Sequence, residues 1–142
     1  MPVSTALLIV GAVVLLAVVA GVALRSQDGR RRSGGAVRVL AEDLPGGLTT
    51  SAALVQFSTE LCARCPQARR ILGEIATDHG MPFVEVDLTN RGDLATRYHV
   101  LQTPTTFLID TSGAVLSRWG GMPDRRSVED AVDAVLTFQE HA

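Results

Sequence analysis

The chain has 142 residues, room for one domain of ordinary size and an appendage. With 46% hydrophobic and 20% charged residues it is neither a disordered nor a fibrous chain, and two cysteines are too few for a disulfide-stapled secreted scaffold. A net charge of −2 and a pI of about 5.9 argue against nucleic acid as a partner. All 13 basic residues are arginine, which reads as the composition of a GC-rich bacterial genome rather than as chemistry.

The mean hydropathy of +0.23 is raised by one end of the chain. Ala6 to Leu24 is 19 residues without a charged or strongly polar side chain. As a helix it reaches roughly 28 Å, about the hydrocarbon thickness of a bilayer. It is apolar all round, unlike a core helix with one buried stripe. Residues 1–24 are therefore expected to be a transmembrane anchor in contact with lipid through residues 6–24. The competing reading is a cleaved signal peptide, with Gly21–Val22–Ala23 as a weak cleavage site; it lacks a basic leader, and its apolar run is longer than usual. Arg25, Arg30, Arg31 and Arg32 all follow the run and no Lys or Arg precedes it. The positive-inside rule then places the following domain on the cytoplasmic face of a single-pass membrane protein. The reversed orientation would put the same domain outside.

Residues 25–35, rich in Arg and Gly, have no apolar period and read as a flexible linker. Residues 36–142 are then the folded domain. Val37 to Leu40 reads as a first strand, Glu42 to Ser51 as turns, and Ala53 to Ser58 as a strand. Ala63 to His79 reads as an amphipathic helix, with Ala68, Ile71, Leu72, Ile75 and Ala76 on one face and Gly80 ending it. Pro82 to Leu88 is a strand and Gly92 to Tyr98 a short helix. Thr105 to Asp110 and Val115 to Trp119 flank Thr111–Ser112–Gly113 as a hairpin. Asp124 to Gln139 is a closing helix with Asp124 or Ser127 available as a cap. The order predicts an α/β domain, a mixed central sheet with helices on both faces.

Cys62–Ala63–Arg64–Cys65 falls between a strand and a helix start. Free N–H groups and the positive end of the helix dipole stabilise a thiolate there. Cys62 is the candidate nucleophile and Cys65, one turn in, the resolving thiol; Pro66 is tolerated in the first turn. Two other readings compete. The pair could be half of a zinc site, but His79 and His99 are 20 positions apart and His141 is terminal, so no metal is expected. It could also be an inert disulfide.

Thr103–Pro104–Thr105 stands directly before a strand, about 40 residues after Cys62. With the Cys-x-x-Cys segment ALVQFSTELCARCPQARRILGEIA, it resembles the thioredoxin superfamily over Ala53 to Leu136. QTPTTFLIDTSGAVLSRWGG is similar to the membrane-tethered reductases of the TlpA/ResA type. The resemblance implies a thioredoxin-like fold with a cis Pro104 packed against the cysteines. It implies a thiol–disulfide oxidoreductase in which Cys62 attacks a substrate disulfide and Cys65 resolves the mixed disulfide. Leu61, Ala63, Arg64 and Thr103 would border the substrate, with the Thr103 backbone pairing to it.

The departures carry information. Leu61 stands where thioredoxins have Trp, and Ala63–Arg64 replaces their Gly-Pro spacer. Gln56 replaces the buried acid, Glu85 its lysine partner, and Arg70 the helix proline. Arg64 places a cation beside the nucleophile and would favour the reduced form. Glu85 is a candidate proton relay for Cys65, against a plainer reading as an exposed or salt-bridged side chain. The expected partners are protein or small-molecule disulfides and an electron-donating reductase or thiol, with no cofactor. A non-catalytic thioredoxin-fold binding module or redox switch is the alternative.

Overall fold

The computed structural model describes residues 2–27 and 29–141. A 25-residue helix, α1 (Val3–Gln27), has a mean hydropathy of 3.1 over its most apolar stretch and buries none of its residues. It is the one helix among the described residues long and apolar enough to cross a membrane.

The rest is a five-stranded mixed sheet with helices on both faces. Its strands are β1 (Arg31–Ser33), β2 (Ala53–Ser58), β3 (Phe83–Asp87), β4 (Thr105–Ile109) and β5 (Val115–Gly120), in the spatial order β1-β5-β4-β2-β3. Only β2 and β3 run parallel. Helices α2 (Cys65–Asp78) and α4 (Arg125–Glu140) share one face with Leu54, Leu108 and Trp119. The short α3 (Gly92–Arg97) and the segment around Val39 and Leu44 cover the other, over Val55, Phe57 and Phe107. Phe57, Tyr98 and Phe107 stack within that second core at centroid distances of 4.8–6.4 Å. Asp124 caps α4 by accepting from the Ser127 N–H at 2.9 Å.

Two expectations need correction. Residues 31–33 are not free linker: they pair antiparallel with β5, Arg31 opposite Trp119 and Ser33 opposite Ser117. All three are exposed, so backbone hydrogen bonds rather than burial hold this edge strand, and its charges protect the edge from further pairing. The folded unit accordingly starts before Ala36: the Gly29 N–H already donates to the Gly120 carbonyl at 2.7 Å. Gly29 has φ +73, and a Cβ there would collide with the Met122 carbonyl. The second correction concerns Val37–Leu40, which makes only an isolated bridge, Arg38 to Ala114, before a single 3-10 turn at Ala41–Asp43. Val39 is nevertheless buried, so its apolar signal reports the core and not a strand.

Candidate active site

β2 delivers the chain to the sheet edge at Ser58, and a tight turn carries it into α2. In that turn the Cys62 N–H donates to the Thr59 carbonyl at 3.2 Å and the Cys65 N–H to the Cys62 carbonyl at 3.3 Å. Ala63 and Arg64 are consumed by the turn, so the helix begins at Cys65 rather than at Ala63, with Arg64 as its N-cap and Pro66 in its first turn. Cys62 and Cys65 form a disulfide with their Cα atoms 5.4 Å apart. Cys65 is 2% exposed, whereas Cys62 is only half-buried. An attacking or attacked sulfur from outside therefore meets Cys62 first, just ahead of the positive end of the α2 dipole.

Behind the pair lies Gln56, with no solvent exposure, whose Nε2 donates to the Cys65 carbonyl at 3.1 Å. In front of it lies the β4 loop. The Thr103–Pro104 peptide is cis and Pro104 is buried. The Thr103 and Thr59 hydroxyls meet at 3.4 Å, joining this loop to the residue that accepts the Cys62 N–H. The backbone N–H and C=O of Thr103 make no hydrogen bond among the described residues. Leu61 is 96% exposed, and Ala63 and Arg64 are exposed beside it. Leu101, just before the cis peptide, is 95% exposed, a second bare apolar side chain on this edge that the sequence pattern alone does not single out.

A cavity of about 240 Å³ opens beside the disulfide, with Ser58, Cys62, Cys65, Arg69, Glu85 and Asp87 in its wall. Glu85 thus shares a cavity with the cysteines, but its carboxylate is committed elsewhere. Oε1 accepts from Arg69 Nη2 at 2.7 Å and from Ser58 Oγ at 2.9 Å, and Oε2 takes the Arg69 Nε–H. The hydrogen bonds from Arg69 lead in holding the Glu85 carboxyl below its ordinary range, against partial burial. That direction runs against what a group taking a proton near neutral pH needs, and Glu85 is ion-paired to Arg69. Arg69 stands four residues after Cys65, one helical turn along the same face, a spacing that could have flagged it. Among the described residues no three His, Cys, Asp or Glu side chains gather as metal ligands.

The sequence model of the thioredoxin family matches residues 47–134. No curated protein matches the chain. Solved structures with the same fold include a thioredoxin-like protein from Clostridium perfringens, 19% identical, with a TM-score of 0.53 over 61% of this chain and 71% of that one. A mutant thioredoxin from Halobacterium salinarum is 20% identical, with a TM-score of 0.54 over 61% and 75%. A thioredoxin from Nicotiana alata is 19% identical, again at 0.54 over 61% and 75%. At these identities the likeness is one of fold. With the family match spanning more than half of the chain, and a Cys-x-x-Cys disulfide at the start of the helix after β2, the chain belongs to the thioredoxin family.

Proposed function

We propose that this protein is a membrane-anchored thiol–disulfide oxidoreductase that reduces protein disulfides. The observation that carries the reading is the unequal exposure of two bonded cysteines at a helix start, in a turn that the Thr59 and Thr103 hydroxyls join to the cis Thr103–Pro104 peptide. In the reduced form the Cys62 thiolate attacks one sulfur of a substrate disulfide; that S–S bond breaks and its second sulfur leaves as a thiolate, which takes a proton. Cys65, having lost its proton, attacks the Cys62 sulfur of the mixed disulfide, frees the second substrate thiol and regenerates the Cys62–Cys65 disulfide. Two electrons pass from the domain to the substrate, and a reductase or dithiol must return them. The Thr103 backbone has its N–H and C=O free to pair with an extended substrate strand, and Leu61, Ala63 and Arg64 border it. A spacer cation at Arg64 favours the thiolate and sets the potential above about −270 mV, the thioredoxin value. No cofactor is needed for these steps.

The anchoring part of the reading rests on α1, apolar from Ala6 to Leu24 and with none of its residues buried. The arginines that follow it favour a cytoplasmic domain. The likeness of the segment around Pro104 to TlpA/ResA-type reductases points to the same tethered way of working. The test is catalysis of insulin reduction by the full chain in detergent with dithiothreitol as donor. Turnover that Cys62→Ser abolishes is expected. Absence of turnover would leave a binding module or redox switch as the reading. Thiol labelling of intact cells tests the membrane face.

A further inference from the structure

The sheet edge that carries the cysteines is also the edge at which the chain arrives from α1. Phe57 lies opposite Thr105, Thr105 opposite Gly120, and Trp119 opposite Arg31. At about 4.8 Å per strand, the start of β1 lies about 14 Å across the sheet from the end of β2. Between them opens a second cavity, of about 310 Å³. Its wall holds three arginines, Arg30, Arg32 and Arg118, with His99, Gln102 and the last residue of α1, Gln27. Among the described residues, no Asp or Glu lines it.

Arg32 and Arg118 stand directly opposite each other in the β1–β5 register, so their side chains project from the same face. Like charges placed this way repel and weaken a strand pair. Arg30, two residues before Arg32, is on that face as well. None of the three has a carboxylate partner among the described residues, although Arg69, Arg91, Arg97 and Arg125 all do. Arg118 is also held in place. Its guanidinium sits 4.9 Å over the Phe107 ring and donates at 2.9 Å to the carbonyl of His99, a residue with a left-handed backbone, φ 51. A partly buried, positioned guanidinium facing a second one across a cavity that no described carboxylate lines fits an oxyanion that accepts from both.

We propose that the cleft between Arg30, Arg32 and Arg118 binds a phosphate-class anion, and that in a bilayer this anion is a lipid headgroup phosphate. The choice of a lipid rests on the reading of α1 as a membrane helix: Gln27 closes the cleft at the point where an apolar helix would leave the hydrocarbon, which is headgroup depth. An occupied cleft would relieve the Arg32–Arg118 repulsion and hold the Pro104 loop against the membrane surface.

The experiment uses the full chain in dodecyl maltoside micelles and follows the arginine Nε–H resonances by NMR. Inorganic phosphate, dihexanoyl phosphatidylglycerol and sodium chloride at matched ionic strength are titrated separately. Saturable shifts at Arg32 and Arg118 are expected with the first two and not with chloride, with the lipid binding at least tenfold more tightly. Arg32→Gln and Arg118→Gln should each weaken binding about tenfold, and Arg126→Gln, outside the cleft, should not. Arg118→Gln also removes the stack on Phe107; if it fails to fold, exposed Arg32 carries the comparison. Phosphate binding as tightly as the lipid overturns the headgroup assignment and supports a soluble anion. Equal shifts with chloride, or affinities unchanged in Arg32→Gln, overturn the site. Carbonate extraction of membranes tests the anchor separately: release of the chain would overturn the anchoring and the lipid while leaving phosphate binding to stand.

Discussion

Gln56 lies directly behind Cys65, its Nε2 donating to the Cys65 carbonyl at 3.1 Å from a side chain with no solvent exposure. The neutral amide ties the middle of β2 to the first residue of α2. Its Oε1 has no protein partner, and neither does the hydroxyl of Thr106, the residue opposite it on β4. Any charge placed here would be desolvated.

Gln56→Glu should therefore fold with its carboxyl held neutral by burial, its pKa raised above the value of about 4.3 in an unfolded chain. Between that value and the raised one only the unfolded state is ionised. Stability of the variant should fall by about 1.4 kcal/mol per pH unit across this window relative to the natural protein. Urea unfolding of the full chain in detergent at pH 5 and pH 7 measures it. An equal loss at both values would mean that the carboxylate reaches water.

Cys62→Ser should abolish insulin reduction. Cys65→Ser should instead accumulate mixed disulfides with substrate, because the bond on Cys62 can form but has no second thiol to break it. Non-reducing gels after mixing with an oxidised substrate show the difference. Accumulation on the Cys62→Ser variant in place of the other would reverse the roles.

Glu85→Gln leaves the Arg69 guanidinium without its counter-charge in the cavity that also touches both cysteines. A thiolate gains from that cation, so the reduction potential should rise, by about 10 mV because Arg69 is half exposed and screened. The rise should shrink with salt. Equilibration with glutathione buffers reads it. Slower exchange at an unchanged potential would restore Glu85 as a proton relay.

Asp43 accounts for an acid-sensitive contact on the other face. Burial favours its neutral form, but the Tyr98 hydroxyl, the Arg97 guanidinium at 2.6 Å and the charges of Arg97 and Arg91 prevail and hold the carboxyl below its usual range. With the folded pKa lowered, the stabilisation is present above the unfolded value of about 3.9 and is lost as pH falls through the folded one. Asp43→Asn should cost about 1–3 kcal/mol at pH 7 and less at about pH 2, the cost shrinking as pH falls from about 3.9 through the lowered folded value. Chemical denaturation at the two pH values tests this.

His79 ends α2 and reaches α4. Its Nδ1 bonds the Ile75 carbonyl at 2.8 Å and its Nε2 the Asp133 carboxylate at 3.0 Å. The Ile75 carbonyl leads in raising its pKa, followed, against some burial, by Asp133. The sign is opposite to that of Asp43: the stabilisation is full below about pH 6.5 and disappears as pH rises through the folded value. NMR titration should place His79 above 6.5, and Asp133→Asn should bring it down. An unchanged value in that variant would leave the Ile75 carbonyl as the whole cause.

What could be read in advance was local. Cys62, Cys65, Pro104 and the Asp124 cap each announce themselves by residue type within a few positions of a strand or helix end. The edge strand Arg31–Ser33 does not, because it pairs chiefly through its backbone and its three side chains are polar and exposed, a pattern shared with any linker. The Arg69–Glu85 pair joins a helix to a strand 16 residues apart, and the face-to-face arginines join residues 86 apart, so both depend on a register that composition does not encode. Glu85 stood out only because it replaces the lysine of the thioredoxin pattern; its partner had to be seen.

The backbone hydrogen bond from the Gly29 N–H to the Gly120 carbonyl decides how far the disulfide can travel. Eleven free residues at 25–35 would have behaved as a coil of roughly 18 Å root-mean-square span, letting the domain sweep through a cap of space around the end of α1. With Gly29 tied to β5 and residues 31–33 zipped beside it, the sweep of such a coil is lost. The sulfurs are carried at a nearly constant height from the end of α1, as on a short rigid bracket. A target must present its own sulfur at that height, so the geometry selects among thiols by where they are mounted before any side chain reads their sequence.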